Sequence, residues 1–193
     1  MASERSIGVG IIGAGQFMSR QHVQTVARSL PVAVGFNRRF APATQLLAQA
    51  FATSGPPVSV LYRISDDDRA LPPEQRWKKE DRLLIETVHI LDLLTYPIGG
   101  EPLGVYACQT RWNDVLVTLE FDNGSRAMVL SSSWGSLAQV KEHMEAVLGH
   151  AALEMNDFVG VRTFGITGGP AVARFATAIL PTPTASAWAA AEA

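Results

Sequence analysis

Apolar and polar positions change their period along this chain. From Ile7 to Tyr96, short apolar runs alternate with stretches of helical spacing; from Gly104 onward the alternation is strand-like. "IGVGIIGAGQF" (7–17) reads as a buried parallel strand entering a glycine turn. "QHVQTVARSL" (21–30) carries Val23, Val26, Ala27 and Leu30 on one helical stripe, and Pro31 ends it. The run Val32 to Phe36 reads as a strand ending in Asn37-Arg38-Arg39. "PATQLLAQAFATSG" (42–55) is a helix with proline in its first turn and glycine after its end. "VSVLYRI" (58–64) is a strand. "SDDDRALPPEQRWKKED" (65–81) is a long polar connection. "RLLIETVHILDLLTY" (82–96) is a helix that the following "PIGGEP" ends.

The remainder reads as antiparallel sheet. "GVYACQTRW" (104–112) and "VLVTLEF" (115–121) are strands, and Asp122-Asn123-Gly124 is a hairpin turn into "SRAMVLSSS" (125–133). Residues 143–158 form a second hairpin turning near Gly149. The Ala-, Pro- and Thr-rich tail from Gly168 reads as poorly ordered. The expected class is α+β: a Rossmann-like βα unit, then an open, mostly antiparallel sheet with helices on one face.

Composition narrows the function. With 193 residues, 47% of them hydrophobic, a buried core is expected. A net charge of −2 gives no whole-chain reason to expect nucleic acid or an anionic membrane as partner. The single cysteine, Cys108, rules out an internal disulfide and any multi-cysteine zinc site, which fits a cytoplasmic location. Ile7 to Ala14 is too short and glycine-broken for a signal peptide or a membrane span.

Gly13-Ala14-Gly15-Gln16-Phe17-Met18 follows a strand and opens a helix, the context that a dinucleotide pyrophosphate requires. Met18 stands where the fingerprint has its third glycine. Gly13, Ala14, Gly15, Gln16 and Phe17 are the candidate cofactor-binding residues. By spacing alone, the strand ending at Arg38 and Arg39 lies where the ribose is read, and Arg38 would meet the 2′-phosphate of NADP. A solvated pair of charges at a strand end is the plainer alternative.

Several of these stretches, in this order, resemble the Gfo/Idh/MocA family of NAD(P)-dependent sugar and polyol oxidoreductases. They are "GVGIIGAGQF", "VGFNRRFAPA", "RLLIETVHILDLLTYPIGGEP", "VLVTLEFDNGSRAMVLSSSWG" and "KEHMEAVLGHAALEMNDF". The resemblance implies that VGFNRRF joins a nucleotide domain to a substrate domain rather than reading the ribose. It also implies that roughly a hundred residues, the order of the remainder of one Rossmann domain, are absent between Leu30 and Val32. The family's Glu-Lys-Pro segment, whose lysine contacts substrate and cofactor, does not occur. The implied layout is a remnant of a dinucleotide-binding domain (1–31), a substrate and oligomerisation domain (32–167) and a disordered tail (168–193).

Oxidising a sugar hydroxyl needs a cofactor to take the hydride, a base for the proton and a donor to polarise the oxygen. The resemblance assigns the base to His89, with Glu86 one turn earlier to orient it. Asp92 is one turn later. Metal ligation by these three is disfavoured, because no second histidine sits at ligand spacing. Arg76 and Trp77 precede the helix in a loop that borders the substrate in the family. Two functions remain open. One is an NAD(P)-dependent oxidoreductase acting on a sugar or polyol. The other is a non-catalytic module for oligomerisation or carbohydrate binding. Apolar alternation on "VLVTLEF" and "AMVLSSS" would leave a sheet face that needs a second copy, so a homo-oligomer through that face is expected.

Overall fold

The computed structural model describes residues 35–70, 73, 82–110, 114–166 and 169–176. The glycine loop Gly13–Phe17, Arg76 and Trp77 lie outside the described residues, as does the expected Rossmann-like unit. The chain divides into two units, Met1–Asn37 and Arg38–Ala193, and the architecture below is that of the second.

That unit opens with a short 3-10 turn, Arg38–Phe40, followed by helix α1 (Pro42–Ser54) and strand β1 (Val58–Ser65). A π-helical turn over Leu83–Thr87 leads into helix α2 (Val88–Ile98). Seven more strands follow: β2 (Pro102–Gln109), β3 (Val115–Phe121), β4 (Arg126–Ser132), β5 (Glu142–Leu148), β6 (Ala151–Asn156), β7 (Gly160–Phe164) and β8 (Val172–Arg174). They form one mixed sheet in the order β2-β3-β4-β1-β5-β6-β7-β8. Only β1 and β4 pair in parallel, with Tyr62 opposite Val129; the other pairs are antiparallel.

Period-two patterning makes one face of this sheet the core. Val58, Val60, Tyr62 and Ile64 of β1 point to the same side as Val117 and Leu119 of β3, Val129 of β4, and Met144 and Ala146 of β5. Leu47 and Phe51 of α1 and Ile90, Leu93 and Leu94 of α2 close over them in one cluster. Both helices therefore lie on one face, as patterning requires. The opposite face keeps Leu61, Leu116, Met128, Leu130 and Val147 exposed. Leu61 is registered opposite Met128, and Leu116 opposite Leu130, so these side chains form a contiguous apolar patch. None of the described helices is long and apolar enough to cross a membrane.

Three details depart from the sequence reading. Residues 35–37 carry no regular structure and Arg38–Phe40 is a 3-10 turn, so a described strand does not run into the arginines. Helix α2 passes through Pro97, which the reading took as its end. Pro97 stands one residue from the end of α2, and left-handed Gly99 (φ 68°) then closes the helix onto the Thr95 carbonyl. Part of the tail read as disordered is strand β8, which pairs with β7 through Val161 and Arg162. Three residues are too short to show a period, so composition outweighed them.

Candidate active site

Strands β1 and β4 run parallel, and their carboxyl ends open onto the polar end of the core. There the covered face changes character. Ser131 and Glu142 continue the inward-pointing rows of β4 and β5, and both are buried. A buried carboxylate must be paired and hydrogen-bonded. Glu142 accepts from Arg38 Nε (3.1 Å) and Nη2 (2.8 Å) and from the Tyr62 hydroxyl, while its own backbone N–H donates to Asp157.

Arg38 then extends the chain of charges. Its Nη2 also donates to Glu86 Oε2 at 3.1 Å. Lys141 Nζ lies 3.3 Å from Glu86 and 3.2 Å from Asp66. The buried Arg82 donates to Ser131 Oγ (2.8 Å) and pairs with Asp66 (3.4 Å). The network thus joins the 3-10 turn, β1, β4, β5 and the π-helical turn at one end of the sheet. The 3-10 turn is itself anchored on α1, since Thr44 Oγ1 donates to the Arg38 carbonyl and Gln45 Nε2 to that of Arg39.

The charges set the ionisation of the groups around them. Burial acts against the charge of Glu86, but Lys141 and Arg38 outweigh it and hold the carboxyl below its usual range. Burial likewise opposes the charge on Lys141, and Glu86 and Asp66 more than restore it. Burial and the adjacent Glu142 charge push the Tyr62 phenol well up, so it remains a donor. His89 stands in the first turn of α2 with Nδ1 shut off from solvent. Burial and then the Arg38 cation push its pKa below the ordinary histidine value, against Glu86, Glu142 and Asp92. A neutral imidazole beside fixed charges is able to accept a proton.

The sequence-predicted residues fall as follows. His89 and Glu86 belong to the same end of the sheet, and Glu86 is tied to Arg38 and Lys141. Arg38 places its guanidinium between Glu142 and Glu86 rather than at a surface. Arg39 pairs with Asp92, with Nε at 2.9 Å from Oδ2, and lies over the Tyr96 ring, fastening the turn to α2. Among the described residues no group of His, Cys, Asp and Glu is placed to hold a metal. Sequence reasoning missed Tyr62, Asp66, Arg82, Lys141 and Glu142. A signal existed for two of them. Glu142 is in phase with Met144, Ala146 and Leu148, and Tyr62 with Val58, Val60 and Ile64, so the pattern itself puts a carboxylate and a phenol in the core.

The sheet with its two covering helices has a recognisable fold. UDP-N-acetylglucosamine 3-dehydrogenase from Acidithiobacillus ferrooxidans is similar to 86% of the chain, with a TM-score of 0.58 and 20% identity. Levoglucosan dehydrogenase in complex with NADH and L-sorbose is similar to 75% of it, with a TM-score of 0.59 and 18% identity. The fold is that of the Gfo/Idh/MocA-type NAD-binding oxidoreductases. The same fold also occurs in a super-repressor mutant of Gal80p from Saccharomyces cerevisiae, with a TM-score of 0.62, 8% identity and 87% of this chain covered. The chain spans about half the length of these structures, 52%, 46% and 52% respectively. No protein-family model and no curated protein matches the sequence.

Proposed function

We propose that this chain forms the sugar side of a Gfo/Idh/MocA-type oxidoreductase. It would act on a hydroxyl of a sugar or polyol with NAD or NADP, and His89 would accept the hydroxyl proton. The observation that carries the reading is the placement of His89 in the first turn of α2, three residues after Glu86, which Arg38 and Lys141 bind in a charged cluster at the carboxyl ends of the two parallel strands. The likeness to sugar dehydrogenases, one of them holding NADH and L-sorbose, supports the substrate and cofactor class.

The donor set suits the reacting end of such a cofactor, whose nicotinamide would take the hydride. It does not suit a 2′-phosphate at Arg38, whose fork already meets two carboxylates that would repel a phosphate. Arg38 in this reading holds Glu86 and Glu142. Glu86 is fixed by Arg38 and Lys141, and its charge favours the imidazolium that forms when His89 takes the proton.

The test is calorimetric titration of the folded protein with NADH and NADPH, followed by assay of a sugar and polyol panel against His89→Ala. Micromolar cofactor binding and His89-dependent oxidation support the reading; no binding up to millimolar cofactor sinks it. A second reading is favoured by the exposed apolar patch around Leu61 and Met128. It is a homo-oligomerisation or carbohydrate-binding module without catalysis, assembled through that sheet face.

A further inference from the structure

The two loops that leave the carboxyl ends of β1 and β4 are laced together by backbone hydrogen bonds. Asp66 N–H donates to the Ser132 carbonyl (3.0 Å), Asp68 N–H to that of Ser133 (3.2 Å), and Gly135 N–H back to that of Asp66 (2.7 Å). Between these bonds, Asp67 and Trp134 form an antiparallel bridge. The lacing brings an indole and a guanidinium together. Arg69 lies over the Trp134 ring, 5.3 Å from its centroid. Asp67 accepts from Arg69 Nε (2.7 Å) and Nη2 (3.1 Å), and its Oδ1 also accepts from the Arg69 backbone N–H. A carboxylate that meets both edges of the fork fixes its orientation. Trp134 is nonetheless 51% exposed, and the Arg69 side chain 61%.

Aromatic and guanidinium groups held rigid at a surface have little freedom left to lose on binding. Open sheets also bind ligands outside the carboxyl ends of their parallel strands, which is where these loops lie. Charge then selects the ligand. Arg69 meets Asp67, Arg82 meets Asp66 and Asp68, and Lys141 meets Asp66 and Glu86. Each of these cations already faces a carboxylate, so the loops offer a phosphate no net attraction. A neutral molecule with an apolar face and hydroxyl edges suits them better. We propose that Trp134, Arg69 and Asp67 form a subsite for a neutral sugar ring. The C–H bonds of the ring lie against the indole, one hydroxyl accepts from Arg69 and another donates to Asp67. The choice of a sugar rests on the oxidoreductase reading; the pairing of indole and guanidinium does not. Asp66 precedes Asp67 and pairs with Arg82 and Lys141, so the subsite and the charged cluster share one loop.

The experiment titrates wild type, Trp134→Ala, Trp134→Phe and Arg69→Met, each checked by melting temperature, with cellobiose, maltose, lactose and adenosine. Calorimetry gives affinity without cofactor, saturation-transfer NMR gives the ligand protons in contact, and oxidation of the same sugars is assayed with NAD+ and NADP+. Wild type is expected to bind at least one disaccharide, with transfer strongest to the C–H protons of one ring. Trp134→Ala is expected to weaken this about tenfold or more, and Trp134→Phe less, because it keeps a ring. Arg69→Met, at an exposed side chain, is expected to weaken it as well. Affinity equal to wild type in both Trp134→Ala and Arg69→Met overturns the subsite, as does the absence of sugar binding by folded wild type. Tighter binding of adenosine than of every sugar overturns the sugar assignment. Oxidation of a sugar with KM unchanged in Trp134→Ala leaves the oxidoreductase reading standing and removes the subsite. Trp134-dependent binding with no oxidation removes that reading and keeps the subsite.

Discussion

Glu142 is the residue on which the charged end of the core depends. It meets the Arg38 fork and the Tyr62 hydroxyl while buried among apolar side chains. Truncating one partner of a buried ion pair strands the other, at a cost of about 3–5 kcal/mol. Glu142→Ala is therefore expected to lose about that much in urea denaturation. Arg38→Met combined with Glu142→Leu should recover most of it, because no charge is then left unpaired. If the single variant is as stable as wild type, the pair is not a buried one. His89 and Glu86 give a pH signature of one sign. His89 titrates below its ordinary value in the folded protein, so the unfolded chain binds the proton more readily. Glu86 does the same in its own range. Each contribution is present above the group's ordinary pKa and is lost as pH falls through the folded one. Melting temperature should drop as pH falls below the ordinary histidine value, and drop further below the ordinary carboxylate value. His89→Gln should remove the first drop and leave the second.

At the scale of elements, close approaches rather than propensities place the loops beside the site. Gly135 follows β4, and its N–H donates to the Asp66 carbonyl at 2.7 Å. A Cβ there would stand 2.9 Å from Ser65 Cβ and 3.1 Å from the Asp66 oxygen. Gly135→Ala is expected to cost about 1–3 kcal/mol, as overpacking does, and to weaken the Asp66–Lys141 contact. A melting temperature equal to wild type would contradict this. Elements were legible where the period was long or the turn chemistry sharp. α1, β1, β3, β4 and the hairpin turn at Asn123-Gly124 follow directly from the chain. The π-helical turn was not legible, since Arg82 to Tyr96 reads as one uninterrupted stripe. Its Glu86 meets Lys141 and Arg38, partners 55 and 48 residues away in sequence, which no local spacing displays. His89 and Glu86 came from resemblance, and Arg38 from spacing alone. The cluster that joins Glu86 to Arg38 came from the fold of the sheet.

Among the described residues, the sheet has one face covered by α1 and α2 and an opposite face with exposed apolar side chains. The open face carries Leu61, Leu116, Met128, Leu130 and Val147 as neighbours across β3, β4, β1 and β5. Exposed apolar patches of this kind mark interaction surfaces. Assembly of copies through this face predicts a dimer or larger species in sedimentation equilibrium. Leu61→Glu with Met128→Glu should shift it to monomer with little change in far-ultraviolet circular dichroism. A wild type that sediments as a monomer at tens of micromolar protein would remove the basis for assembly through this face.

The central claim is that His89 serves a sugar-oxidising site, and one measurement tests it most directly. Wild type and His89→Ala are incubated with NAD+ or NADP+ and a panel of sugars and polyols, and formation of the reduced nicotinamide is followed by its fluorescence. The account predicts reduced cofactor with at least one panel member in wild type, and a rate at least about a hundredfold lower in His89→Ala. Equal rates in the two proteins, or no reduced cofactor from folded wild type with any panel member, would contradict it.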